Sequence, residues 1–223
     1  MRYAVCGCRR LAGALLVVLV GMAVATPGAP AAELKGKALV EALQDGGYNI
    51  YFRHAPTDWG QHDRVEAAGD WTSCDPAKMR QLSSEGRATA RRIGDAIRAL
   101  GVPVAKVLSS EYCLAWETAR LLDLGPVTRT RDIMNMRIVA RVGGRDAVIR
   151  RAQRILAQPA PEGANVVIVG HGNLMRAATG ADASEAGSGV YAPRAGSEPG
   201  FELVALLTPD DWMRLAELMG EDG

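Results

Sequence analysis

Two histidines in this chain sit where chemistry is easiest to build. Arg53-His54 follows the β-rich run Tyr48-Asn49-Ile50-Tyr51-Phe52, and Gly170-His171-Gly172 follows the unbroken run Val166-Val167-Ile168-Val169. Each falls at the end of an expected strand, where open α/β sheets gather their ligands. A lone histidine is more often a hydrogen-bonded structural residue than a working one. Two at two strand ends, one beside an arginine and the other between glycines, reverse that preference. The third, His62, stands in a polar stretch and is expected on the surface.

An Arg-His pair with a second histidine suits phosphoryl transfer. A neutral imidazole nitrogen can attack phosphorus and form a covalent phosphohistidine. The Arg53 guanidinium is permanently charged and matches phosphate oxygens as a bidentate fork. His171, if protonated, can stabilise the oxygens as charge spreads over them. Gly172 and the helix start after it can add backbone N–H donors. No metal and no cofactor are called for, because the positive charge comes from side chains. A zinc site needs three or four ligands with local spacing, and no such run is present.

The elements that carry these residues alternate between strand and helix. After the first strand, residues 55–82 are polar and aperiodic, a length usually reserved for functional or mobile loops. Ser83 reads as an N-cap, Ala88, Ile93, Ile97 and Leu100 form an apolar stripe, and Gly101 stops that helix. Residues 104–108 read as a strand, 112–122 and 144–156 as helices, and 166–169 as a strand buried on both faces. Residues 179–200 are rich in Gly, Ala, Ser and Pro. Residues 201–207 read as a last strand, and Pro209 opens a terminal helix through Leu218. The alternation predicts an α/β fold in three layers, a mostly parallel sheet with helices on both faces.

Composition narrows the classes. The chain has 223 residues, 48% hydrophobic and 23% charged, enough for a sizeable core. A net charge of +1 gives no nucleic-acid footprint. Arg2, Arg9 and Arg10 precede an apolar run, Leu11 to Val24, which small residues and prolines follow. That is the order of a secretory signal peptide, with cleavage expected after Ala31 and Ala25 as a second position. The expected division is residues 1–31 as leader and 32–223 as one domain, periplasmic or secreted, with no stable membrane span after processing. Removing the leader takes away three Arg and no acid, so the net charge becomes −2. Cys6 and Cys8 would leave with it. Cys74 and Cys113 remain as an even pair in an oxidising compartment and are expected to form a disulfide, the alternative being two separate buried thiols.

Three segments together resemble the histidine phosphatase superfamily, the phosphoglycerate mutase-like proteins. They are Tyr51-Phe52-Arg53-His54, Ser109-Ser110-Glu111-Tyr112-Cys113-Leu114-Ala115-Trp116-Glu117-Thr118-Ala119, and Val167-Ile168-Val169-Gly170-His171-Gly172. Their order and spacing span most of the region after the leader, and the exported branch of the family is the most similar. The resemblance implies a phosphoglycerate mutase-like fold, His54 as nucleophile, Arg53 as phosphate ligand and His171 as the second histidine of the pocket.

The chain departs from that pattern twice. Leu114 stands where the family usually places a second pocket arginine. Glu185-Ala186-Gly187 stands where the exported branch tends to carry Glu-Gly-Glu, which leaves Glu185 as proton-donor candidate, with Asp132 a weaker one. Arg64 or Arg137 could fill the gap at Leu114. The expectation is a phosphomonoester hydrolase, weak or specialised, acting on a small phosphorylated substrate or a phosphorylated cell-envelope component. The alternative is a decayed phosphatase scaffold that binds phosphate ligands without turnover. Cys74-Asp75-Pro76-Ala77-Lys78-Met79-Arg80 also fits the Cys-x5-Arg pattern of tyrosine-phosphatase-like enzymes, but no strand precedes it and its loop has no glycine.

Overall fold

A computed structural model describes Met1 and residues 33–221. The rest of the expected leader, with its cleavage positions, lies outside the described residues. Six strands form one mixed sheet: β1 (Asn49–Arg53), β2 (Val104–Ser110), β3 (Val127–Thr130), β4 (Asn165–Gly170), β5 (Ser188–Pro193) and β6 (Phe201–Leu207), in the spatial order β3-β2-β4-β1-β5-β6. The four strands from β3 to β1 run parallel, whereas β5 and β6 are antiparallel additions beside β1. Helices α1 (Gly36–Asp45), α2 (Ser84–Ala99), α3 (Cys113–Leu122), α4 (Arg145–Ala157), α5 (Gly172–Thr179) and α6 (Pro209–Glu221) cover both faces. Two apolar clusters follow. One packs α1, α2, α3 and α6 on one face, and the other packs α4 and α5 on the opposite face. This is the expected three-layer α/β fold. No helix among the described residues is long and apolar enough to cross a membrane.

Local sequence explains the central elements. Every residue of β4 is buried, as its run of β-branched side chains requires in the middle of a sheet. Each such side chain contributes roughly 1.5–3 kcal/mol by burial. Ser83 caps α2, its Oγ accepting from the Gly86 N–H at 2.9 Å. Gly101, at φ +64°, lets the chain turn after that helix.

Sequence patterning does not mark α1, β3 or β5. Strand β5, Ser188-Gly189-Val190-Tyr191-Ala192-Pro193, was hidden in the small-residue stretch 179–200. It is buried on both faces, so it lacks the polar alternation that marks a half-exposed strand.

One register decides the site. Strands β1 and β4 are adjacent and parallel, with Arg53 opposite Gly170. The next residue of each strand is a histidine, and the His54 N–H donates to the Gly170 carbonyl at 2.9 Å. Histidines far apart in sequence therefore leave the sheet side by side at the same height.

Candidate active site

His54 and His171 face each other across a cavity of about 190 Å³ at the carboxyl ends of β1 and β4, their ring centroids 5.7 Å apart. Arg53, Arg80, Arg137 and Arg176 line it with Trp59, Asn135, Gly172 and Asn173. No carboxylate is among its lining residues.

His54 is only 4% exposed. Its Nδ1 lies 3.0 Å from the Ala55 carbonyl oxygen, which can only accept. The ring proton is therefore on Nδ1, and Nε2 keeps its lone pair. Burial, reinforced by the Arg53 and Arg80 charges, pushes the pKa down from 6.5 to about 4, so the ring is neutral at physiological pH. The turn after it is anchored to α3, because the Ala55 N–H donates to Thr118 Oγ1 at 3.0 Å and that hydroxyl donates to the Leu114 carbonyl at 2.7 Å.

His171 is 1% exposed and stands at the N-cap position of α5, with no capping bond from its ring. Its Nε2 lies 2.9 Å from Ser110 Oγ, at the end of β2, and its Nδ1 lies 3.2 Å from Asn135 Nδ2. Burial first, then the neighbouring His54 ring and the charges of Arg80 and Arg53, holds its pKa well below the ordinary value. The Tyr51 hydroxyl reaches over both neighbouring peptides, accepting from the His171 N–H at 3.0 Å. That reach needs Gly170, since a Cβ there would stand 2.2 Å from the tyrosine oxygen.

Arg53 runs across the start of α5. A Cβ on Gly172 would stand 2.8 Å from Arg53 Cδ, so glycine is what lets the guanidinium lie against the helix N-terminus. There the first N–H groups of α5 have no intrahelical acceptor and favour an anion. Arg53 Nη1 donates to the Ala183 carbonyl at 3.2 Å, and Nη2 lies 3.6 Å from Glu185 Oε1. Glu185, in the turn before β5, also accepts from Thr57 Oγ1 at 3.4 Å. It thus adjoins the cavity behind Arg53 without lining it.

The structure does not bring Arg64 to the cavity. Its side chain is exposed, and its backbone N–H is tied to the Lys78 carbonyl at 2.8 Å. The same loop delivers Arg80 instead. Arg80 is 9% exposed, lies with Cζ 4.6 Å from the centre of the Trp59 ring, and has its backbone N–H bonded to Asp63 Oδ1 at 3.0 Å. Arg137 does line the cavity, from an exposed position. Asp132 lies 3.3 Å from Arg151 Nε, outside the cavity, and His62 is exposed. Leu114 is 2% exposed, belongs to the apolar core and does not line the cavity.

Cys74 and Cys113 form a disulfide, with Cα atoms 5.3 Å apart. It staples the long loop, six residues before Arg80, to the start of α3. The sequence signal for Arg80 was the Cys-x5-Arg pattern, which proposed it only as the partner of a cysteine nucleophile. That cysteine is in the disulfide, and the arginine lines the cavity with the two histidines. Asn135, Asn173, Trp59 and Arg176 had no separate sequence signal. Among the described residues, no three His, Cys, Asp or Glu side chains group as metal ligands.

No protein-family model matches the chain, and no curated protein matches it by sequence. Solved structures do. A candidate alpha-ribazole-5'-P phosphatase from Escherichia coli is similar at 15% identity and a TM-score of 0.51, over 74% of this chain and 98% of that one. A mycobacterial glucosyl-3-phosphoglycerate phosphatase is similar at 16% identity and a TM-score of 0.49, over 74% and 99%. The protein histidine phosphatase SixA complexed with tungstate is similar at 15% identity and a TM-score of 0.49, over 74% and 98%. At these identities the likeness extends to the fold and no further.

Proposed function

We propose that this protein is an exported phosphomonoester hydrolase that needs no metal and works through a phosphohistidine on His54. The observation that carries the reading is a neutral His54 whose proton is held on Nδ1 by the Ala55 carbonyl, which leaves Nε2 a lone pair, on a residue that lines a cavity together with arginines and the start of α5. In the first step Nε2 attacks phosphorus and the ester P–O bond breaks. The leaving oxygen takes a proton from Glu185 through a bridging water, because the carboxyl adjoins the cavity behind Arg53 without lining it. In the second step water attacks the phosphohistidine, returns a proton to Glu185, and releases orthophosphate with His54 restored. Arg53, Arg80 and the first N–H groups of α5 meet the phosphoryl oxygens.

Arg80 offsets the absence of an arginine at 114. One preorganised donor to a developing anion is worth about 10²–10³ in rate, so its source matters less than its presence. The substrate is a small phosphorylated molecule or a phosphorylated component of the cell envelope.

One observation favours a second reading, phosphate binding without turnover: no carboxylic acid lines the cavity to protonate a leaving group. An assay of the purified protein on an aryl phosphate and a panel of alkyl monoesters separates the two. Hydrolysis that survives EDTA supports the enzyme. Tight orthophosphate binding with no hydrolysis of any monoester supports the binding protein.

A further inference from the structure

The hydrogen bonds around His171 define its protonation more tightly than is usual for a histidine. Asn135 is buried, and its side-chain orientation is fixed from outside the pair. Its Oδ1 accepts from the Arg137 backbone N–H at 3.0 Å and from Asn173 Nδ2 at 2.8 Å. A backbone N–H can only donate, so the oxygen must face Arg137 and the amide nitrogen must face His171. Asn173 is held in turn, its Oδ1 accepting from the Met136 N–H at 3.3 Å. The Asn135 amide therefore donates to His171 Nδ1, which must present a lone pair. The ring proton is left on Nε2 and points at Ser110 Oγ. The serine hydroxyl has its own outlet, Met134 Sδ at 3.6 Å.

The other groups facing His171 leave no place for a second proton. The Tyr112 ring packs edge-on at 4.8 Å from the start of α3, and His54 stands across the cavity from the end of β1. The charged neighbours are the cations Arg53, on β1, and Arg80, on the long loop. Tyr51, from β1, is spent on the His171 backbone.

We propose that Asn135 is a positioning residue that holds His171 as the neutral Nε2–H tautomer, directs its proton to Ser110, and thereby removes His171 from the proton traffic of the site. The two histidines then carry opposite tautomers. His54 keeps a lone pair on Nε2 for phosphorus, and His171 keeps its lone pair on Nδ1 for an amide. His171 works as a neutral wall of the pocket and not as an acid, which leaves leaving-group protonation to another residue. The catalytic consequence rests on the phosphohydrolase reading, whereas the tautomer does not.

The test is ¹⁵N NMR of the untagged protein with labelled histidine. The chain has three histidines, so His54→Ala and His62→Gln spectra assign the signals. In wild type, His171 should show protonated Nε2 and bare Nδ1, unchanged from pH 6.5 to pH 8. In Asn135→Asp, the carboxylate can only accept, so Nδ1 should become protonated. Asn135→Ala should lower kcat by about tenfold, the order of one lost hydrogen bond, with a smaller change in KM. A wild-type spectrum with protonated Nδ1, or an imidazolium at neutral pH, overturns the proposal, and this arm needs no variant to fold. A folded Asn135→Asp whose His171 keeps a bare Nδ1 overturns it equally. If no monoester is turned over, the hydrolase reading fails while both spectral outcomes still decide the tautomer.

Discussion

The floor and the wall of the cavity are built by different means. The floor is the rim of the parallel sheet: His54 and His171 leave neighbouring strands in register, and Gly172 starts a helix there. Its geometry follows from buried strands such as β4, whose positions no single side chain decides. The wall is the long loop after β1, which has only a short 3-10 turn at Asp70–Thr72 and one isolated bridge, Thr57 to Leu82. Arg80 is held there by a bond to Asp63, by the Trp59 ring and by the disulfide upstream. Reactive atoms are thus placed by the sheet, whereas charge is brought up by cross-links. The floor should tolerate change poorly in activity and the wall should lose function in steps.

His54→Ala gives the largest effect. It removes the nitrogen proposed to attack phosphorus and should abolish turnover while the fold persists, checked by steady-state kinetics alongside circular dichroism. Substantial residual turnover would move the nucleophile off the floor altogether.

Leu114→Arg comes next. The side chain at 114 sits in the core beneath the floor, so the variant buries an unpaired charge and should cost about 3–5 kcal/mol of stability, measured by urea denaturation. A stable, faster enzyme would show that position 114 can reach the phosphate and that the wall is not the only source of the second arginine.

On the wall, Arg80→Ala should lower kcat/KM by about 10²–10³. An unchanged value would mean that Arg137 or Arg176 does this work. Opening the disulfide with the pair Cys74→Ser and Cys113→Ser frees a loop with a sequence separation of 39 residues, worth about 3–4 kcal/mol in the chain-entropy model. The melting temperature should fall, and KM should rise more than kcat falls, because the loop carries charge and not the nucleophile.

The last effect, on stability alone, is pH dependence. His54 has a folded pKa near 4 against 6.5 when unfolded, so the unfolded chain binds the proton first. Stability should hold above pH 6.5 and decline as pH falls toward 4, by the linkage between proton uptake and unfolding. Denaturation midpoints that stay flat across that range would argue that His54 is accessible to water.

This contrast also explains what could be read from sequence. The floor was legible because apolar runs announce strands, and residues just past their ends announce a rim. His54, His171, Arg53 and Gly172 were each found that way. The wall was not. Arg64 and Arg80 are both arginines in one aperiodic loop, and nothing local distinguishes the exposed one from the buried one. The choice depends on contacts with Asp63 and Trp59 that only the folded loop makes. Asn135 was invisible for a related reason: its role comes from the backbone N–H of Arg137, and a backbone group leaves no mark in a sequence. Strand β5 escaped because full burial erased its alternation.

The central claim is that His54 attacks phosphorus through Nε2. Incubating the protein with a fast-reacting aryl phosphate, quenching in alkali to preserve phosphohistidine, and locating the phosphoryl group by mass spectrometry and ³¹P NMR tests it directly. The account predicts phosphorylation of His54 on Nε2, because Nδ1 is engaged by the Ala55 carbonyl. A phosphoryl group on His54 Nδ1, on His171, or on no residue during measurable turnover would contradict it.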